Sequence, residues 1–414
     1  MSLTGAMNSA VSAMKAQSTA LSIISNNLAN ISTTGYKASS TSFSSLLTSG
    51  STSSASGGVT ATKSQNILAS GTLVSSSIAT NLAVDGDGFF AVTTGDGNIY
   101  YTRNGAFTID DDTGYLTNNG YLLMGWPTDA DGNVVGGTTQ SNLEIIDTNN
   151  LSGYAAATTK ASLTGVLPAD AEVGDSYTSE LELYDSLGTA YTMGVTWTKT
   201  GENTWEMSFS SLTSGNGTVE AAPTDTIEIT FNADGTLASP STATLAISGL
   251  SDGSAAMSIA LGFGTAGASD GLSQYALDSS NTTVDIACTG NGCAYGTLSG
   301  VTIDEDGTVY ANYSNGMSLS LYKIPLATFA NANGLIEMSN SVYALAGTSS
   351  GGATYHFAGS GGAGSFQSYR LEESTTDTNT EFSNMIAAQQ AYSAASQVIS
   401  TAKDMFDALL AAVR

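Results

Sequence analysis

Residues 3–31 read LTGAMNSAVSAMKAQSTALSIISNNLANI, and stepping through them alternately by four and three meets Leu3, Met7, Ala10, Met14, Gln17, Leu21, Ile24, Leu28 and Ile31. Eight of these nine are apolar. A heptad held over four repeats without proline, with glycine only at its edge (Gly5), predicts a helix that buries a seam against another helix. At about 1.5 Å per residue it would run roughly 40 Å.

The far end of the chain carries two such stripes. Phe382, Met385, Gln389, Tyr392, Ser396, Ile399, Lys403, Phe406, Leu410 and Val413 form one; Ala388, Ala391, Ala395, Val398, Ala402, Met405 and Leu409, all apolar, form a second beside it. The apolar face is wider than a two-helix seam requires, so this helix is expected to touch more than one neighbour. Most amphipathic terminal helices pack on their own domain. Here Ser- and Gly-rich stretches, Ser39 to Gly58 and Gly347 to Gly364, separate both helices from the rest, which suits them to pack with each other and with other subunits.

Between the ends the texture is β. Gly88 to Val92, Tyr100 to Arg103 and Ala106 to Ile109 read as short strands, with Asn104-Gly105 and Asn119-Gly120 suited to type I′ hairpin turns. Val301 to Leu345 has the same texture, with Asp306-Gly307 and Asn315-Gly316 at its turns. In the middle, alternation becomes strict: Tyr191, Met193, Val195, Trp197; Trp205, Met207, Phe209; Ile227, Ile229, Phe231; Met257, Ile259, Leu261, Phe263. Period two means strands with one buried face. The expected fold is therefore multidomain α+β: paired terminal helices at 1–32 and 372–414, extended connecting segments at 33–75 and 347–371, an inner β domain from 76–146 and 291–346, and an outer β domain inserted at 147–290.

Composition narrows the function. The 414 residues carry 10 basic against 36 acidic groups, a formal charge of −26, so a phosphate backbone would be repelled at almost any face. No run of about 18 apolar residues predicts a membrane-spanning helix. Residues 1–10 have neither the basic nor the apolar block of a cleaved secretory signal. Cys288 and Cys293 have four residues between them, close enough to close a small disulfide loop outside the cytosol, and their pairing is left open.

No chemistry emerges. Asp85 to Gly88, Asp129 to Asn133 and Asp304 to Gly307 look like fragments of calcium loops, but none completes the twelve-residue pattern, and Asp-Gly pairs serve hairpin turns equally well. The single histidine, His356, lies in a stretch read as a loose connection and has no triad partner. Neither a cofactor nor a metal is expected, and the chain reads as a non-enzyme.

The segment Ser25-Asn26-Asn27-Leu28-Ala29-Asn30-Ile31-Ser32-Thr33-Thr34-Gly35-Tyr36-Lys37 closely resembles the N-terminal signature of the flagellar rod and hook axial proteins. Physically, the Asn-rich turn ends the helix, Gly35 can take the positive φ that redirects the chain, and Tyr36 anchors the exit. Met385-Ile386-Ala387-Ala388-Gln389-Gln390-Ala391-Tyr392, continuing through Val398-Ile399 to Phe406 and Leu409-Leu410, resembles the same family's C-terminal helix. Asn379 and Lys403 depart from its usual pattern. Rod members usually lack a large insert, so the insert favours the hook branch. The resemblance implies a helical homopolymer forming a curved tube that passes motor torque from rod to filament. It also implies export without signal cleavage by the flagellar type III apparatus to the extracellular hook of the basal body. Its implied partners are the distal rod, the hook cap and the hook-filament junction proteins. An unusually large distal rod protein, a surface adhesin and a glycosidase are the competing readings.

Overall fold

The computed structural model describes residues 3–46, 57–149, 151, 153–215, 217, 219–220, 223–276, 284–347 and 349–412. These divide into two compact units, one of Met1–Asn150, Val301–Ala311 and Leu319–Arg414, the other of Leu151–Gly300 and Asn312–Ser318.

In the first unit two long helices, α1 (Leu3–Ala29) and α2 (Thr378–Ala412), pack side by side. Asp377 starts α2: its Oδ1 accepts from the Thr380 N–H at 2.9 Å, satisfying one of the amides that a helix start leaves open. That amide on an exposed carboxylate holds Asp377 below the usual carboxylate range. At the end of α1, the Asn30 side chain donates back to the Asn26 carbonyl at 2.9 Å and closes the last turn.

The largest sheet of this unit has eleven strands, in which the two chain segments flanking the insert interleave. Tyr121–Pro127 lies between Phe90–Thr93 and Ser318–Lys323, and Tyr100–Thr102 pairs with Val342–Ala344. Leu82, Phe90, Phe107, Leu123, Ile324 and Phe366 meet in its core, Phe90 stacking on Phe366 at 5.7 Å and edge-on to Phe107 at 5.3 Å.

Two expectations change here. Asn119-Gly120 makes its hairpin with positive φ at both residues, whereas Asn104-Gly105 does not turn a hairpin. Instead Asn104 is buried, and a Cβ on Gly105 would stand 1.5 Å from the Leu82 carbonyl oxygen, so glycine is required there for close backbone approach. The Gly- and Ser-rich stretches also carry more strand than their composition suggests. Ser39–Leu46 pairs with Gly58–Gln65 as a hairpin, Thr354–His356 with Leu326–Thr328, Ser365–Ser368 with Leu82–Asp85, and Arg370–Glu372 with Leu73–Ser75. His356 therefore sits in a strand. Such segments lack an alternating apolar pattern because backbone hydrogen bonds, and not a buried apolar face, pair them.

The second unit has a six-stranded sheet containing Ser176–Tyr184, Ala190–Gly201, Thr204–Ser214 and Ile227–Phe231, and a five-stranded sheet built around Lys160–Pro168. Side chains from both sheets share one core: Met193, Val195, Trp197, Trp205 and Met207 from the first, Leu163, Leu245, Ile259 and Leu261 from the second. The alternation that predicted these strands points its apolar side into that core. Replacing Ile259 by Ala should cost about 2–5 kcal/mol, read as a lower urea midpoint with unchanged slope.

Candidate assembly surface

The residues between α1 and the hairpin tie both chain ends together. Asn27, wholly buried, uses its side-chain amide completely: Nδ2 donates to the Ser39 carbonyl at 2.7 Å and to Glu381 Oε1 at 2.8 Å, while Oδ1 accepts from Tyr36 Oη at 3.1 Å and the Ser39 N–H at 3.0 Å. Burial, with Glu337 and Glu381 nearby, pushes the Tyr36 hydroxyl up. Its proton thus stays available to Asn27.

Gly35 turns the chain with φ +68°, and its N–H donates to the Glu372 carbonyl at 2.8 Å. A Cβ there would meet the Asn104 backbone nitrogen at 2.7 Å, so both sterics and φ demand glycine. Thr34 Oγ1 donates to Asn104 Oδ1 at 2.9 Å. Lys37 Nζ, also buried, donates to Glu372 Oε1 and to the Ala69 carbonyl, each at 2.5 Å, and Glu372 Oε1 accepts the Gly71 N–H at 2.6 Å. Burial lowers the Lys37 pKa against the opposing pull of Glu372. Arg103, fully buried, lies 3.9 Å from Glu372 Oε2 with its guanidinium 5.0 Å from the centre of the Phe89 ring.

From this node the helices run antiparallel, since the end of α1 meets the start of α2. Of the α1 residues singled out by the heptad, Ala10 and Ile24 are buried and Met7, Met14, Gln17, Leu21 and Leu28 half-buried; Leu3 opens the helix and Ile31 follows it, half-buried. Ala16, Ala20 and Ile23, off that list, are buried as well. In the signature, Asn27, Gly35, Tyr36 and Lys37 are buried, Asn30 and Thr34 half-buried, and Asn26 exposed.

On α2 the alanine stripe faces α1: Ala388, Ala395 and Ala402 are buried. The large residues do not. Phe382, Ile386, Tyr392, Val398, Met405, Phe406, Leu409 and Leu410 are exposed, Gln389 is exposed, and Met385 and Ile399 are half-buried. Val413 lies outside the described residues. Alanine lets two helices approach closely, which leaves bulky neighbours no room in the seam and turns them outward.

Glu372, Arg103, Glu381 and Asn104 are site residues that pattern reading missed. Their partners lie as far as 354 residues away in sequence, and no local spacing marks them. Cys288 and Cys293 are both free thiols, on Ile286–Gly290 and Cys293–Gly296, with burial pushing the Cys288 thiol up. The calcium-like loop at Asp129 is an Asx turn: Oδ1 accepts the N–H groups of Asn133 at 2.8 Å and Asp131 at 3.1 Å.

Glu372→Gln, which keeps the shape but leaves two buried cations without their carboxylate, should cost about 3–5 kcal/mol. Gly35→Ala should cost about 2 kcal/mol or more. Urea denaturation followed by circular dichroism measures both, and a cost below about 1 kcal/mol for Glu372→Gln would remove the ion pair from its central place.

Comparison with known proteins agrees along the chain. Residues 7–37 match the family described as flagella basal body rod protein, 83–152 the flagellar hook protein FlgE/F/G D1 domain, 150–287 the flagellar basal body protein FlaE D2 domain, and 367–412 the flagellar basal body rod FlgEFG protein C-terminal. The flagellar hook protein FlgE of Rhizobium meliloti (strain 1021) is 36% identical over 361 residues, 86% of this chain and 85% of that one. That of Escherichia coli (strain K12) is 31% identical over 355 residues, 82% and 84% respectively. The crystal structure of Helicobacter pylori flagellar hook protein FlgE2 shares the fold, with a TM-score of 0.53 at 14% identity, covering 72% of this chain and 100% of that one. Terminal helices locked to a β-rich body, domain matches in chain order and relatives similar over most of their length agree: the chain belongs to the flagellar hook protein family, as a structural subunit of the hook and not an enzyme.

Proposed function

We propose that copies of this chain polymerise into a curved tube, flexible enough to bend as it turns, that passes torque from the rod to the filament. The observation that carries this is the outward face of α2. Phe382, Tyr392, Phe406 and Leu410, all of one stripe, run exposed along a 35-residue helix on which Ala388, Ala395 and Ala402 are buried. An apolar stripe of that length on one chain marks a protein interface. Among these residues and those of α1 we place the subunit contacts, with 1–32 and 372–414 as the assembly domain, 76–146 with 291–346 as the first β domain, and 147–290 as the inserted one. Smaller, wetter contacts between β domains would let neighbouring subunits shift as the tube flexes. In the same reading the chain leaves the cell by the flagellar type III apparatus without signal cleavage, and meets the distal rod, hook cap and hook-filament junction proteins.

Electron microscopy of the purified full-length chain after precipitant-driven assembly tests the reading. Curved tubes support the hook; straight tubes would move the chain towards the rod, and no tubes would count against self-assembly. Ile386→Asp and Tyr392→Asp, both at exposed positions, should leave the monomer folded and raise the critical concentration by about tenfold or more.

Amide exchange gives a second check. Residues 5–30 and 382–410 should exchange faster in the monomer than the β cores do, and slow markedly in the tube. Strong protection of both helices before assembly would show that the pair is complete without neighbours.

A further inference from the structure

In the second unit a wholly buried carboxylate faces an exposed one with no donor between them. Asp185, 0% exposed, lies in the turn between Ser176–Tyr184 and Ala190–Gly201. Its Oδ1 accepts the N–H groups of Leu187 and Thr189, each at 2.8 Å. Its Oδ2, equally withdrawn from water, receives no hydrogen bond and faces Asp252. Asp252 is exposed, on the loop joining Thr242–Ile247 to Met257–Gly262. Its Oδ1 accepts the Ser254 N–H at 2.9 Å and its Oδ2 the Tyr191 hydroxyl at 3.0 Å. Beside the same carboxylate, Ser254 Oγ is shut off from water without a hydrogen-bond partner. The Ala255 N–H, donating to Ser186 Oγ at 3.2 Å, holds the loop against the turn.

Two bare carboxylates repel, so a pair this close needs a positive charge in common, either a shared proton or a metal cation. Three features favour the cation. A proton needs only the two carboxylates, yet the Ser254 hydroxyl is uncommitted beside them. Asp252 opens to solvent, so water molecules can complete the shell of an ion that enters there. The chain carries 36 acidic against 10 basic residues, which concentrates cations at its surface. The donors are hard oxygens of mixed type on a turn and a loop. Such a set suits calcium, which takes about six to eight ligands at variable angles, better than magnesium with its strict octahedron.

We propose that the second unit binds a calcium ion between Asp185 and Asp252, with Ser254 Oγ as a third protein oxygen. Asp185 sits on a turn of the six-stranded sheet and Asp252 on a loop of the five-stranded one, so the ion ties the two sheets together. Tyr191, the donor to Asp252, belongs to the core that those sheets share. Among the described residues no three Asp, Glu, His or Cys side chains gather in a metal-binding group, so the protein supplies few charged ligands. The expected dissociation constant is accordingly about 0.1–1 mM.

Thermal unfolding of the full-length chain tests this, followed by tryptophan fluorescence, since Trp197 and Trp205 both lie in the second unit. In about 5 mM calcium the transition should rise by about 3–5 °C over the same chain in chelator, and magnesium at equal concentration and ionic strength should give less than about half of that. Terbium, a luminescent stand-in for calcium, should light up through Tyr191 and be displaced by calcium. Asp252→Asn should abolish both responses, and Ser254→Ala should weaken calcium binding about three- to tenfold. A chain equally stable in calcium and in chelator would overturn the site. Asp185→Asn, whose amide can donate to Asp252, would then identify a shared proton as the bond if it kept that stability. A calcium response that survives in Asp252→Asn would place the ion among other acidic residues and would also overturn the site.

Discussion

The first unit depends on one buried ion pair. Lys37 and Glu372 are 2.5 Å apart and withdrawn from water, although 335 residues separate them in sequence. Such a pair is weak evidence of net stability, because desolvating two charges costs several kcal/mol per ion. What it supplies here is placement. With Gly71 donating to the same Glu372 oxygen, Ala69 accepting from Lys37 and Arg103 beside them, the pair favours one arrangement of the segment leaving α1 and the segment entering α2. Asn27, bonded to Ser39 on one side and Glu381 on the other, then sets the register of the two helices.

That register decides which side chains are left over. The buried face of α2 is made of alanines, packed beside α1, whose own buried residues include Ala16, Ala20, Ile23 and Ile24, and the aromatic and branched residues of α2 are left on the outside. The outward stripe is therefore a product of the seam. A pairing that buried Phe382, Tyr392 and Phe406 would separate the helices, and Asn27 could no longer reach Glu381.

Much of this was legible in the sequence. Heptad spacing gives both helices, and strict alternation gives the insert's strands, because those patterns reflect local geometry. The Asn-rich turn and Gly35 were legible for the same reason. The role of the two α2 stripes was not, since spacing shows that two apolar faces exist but not which one meets α1. Nor was the node: Glu372 is an ordinary acid in a polar stretch until the fold sets it against Lys37. Asn104-Gly105 misled because its dipeptide suits a hairpin turn, while its task is to let two backbones touch.

Magnitudes explain why such a chain is built to be a part of something larger. Three seam methyls contribute together about 2–3 kcal/mol at roughly 0.8 kcal/mol each. Each Phe, Ile, Leu or Tyr on the outward face contributes about as much when buried, and at least six lie there. The large residues left about half exposed on α2 thus hold more unburied apolar free energy than its three buried alanines contribute. The node holds the last turn of α1 and the first turn of α2 in place, and in the assembly we propose the rest of their length gains its further stability from the subunits that cover it.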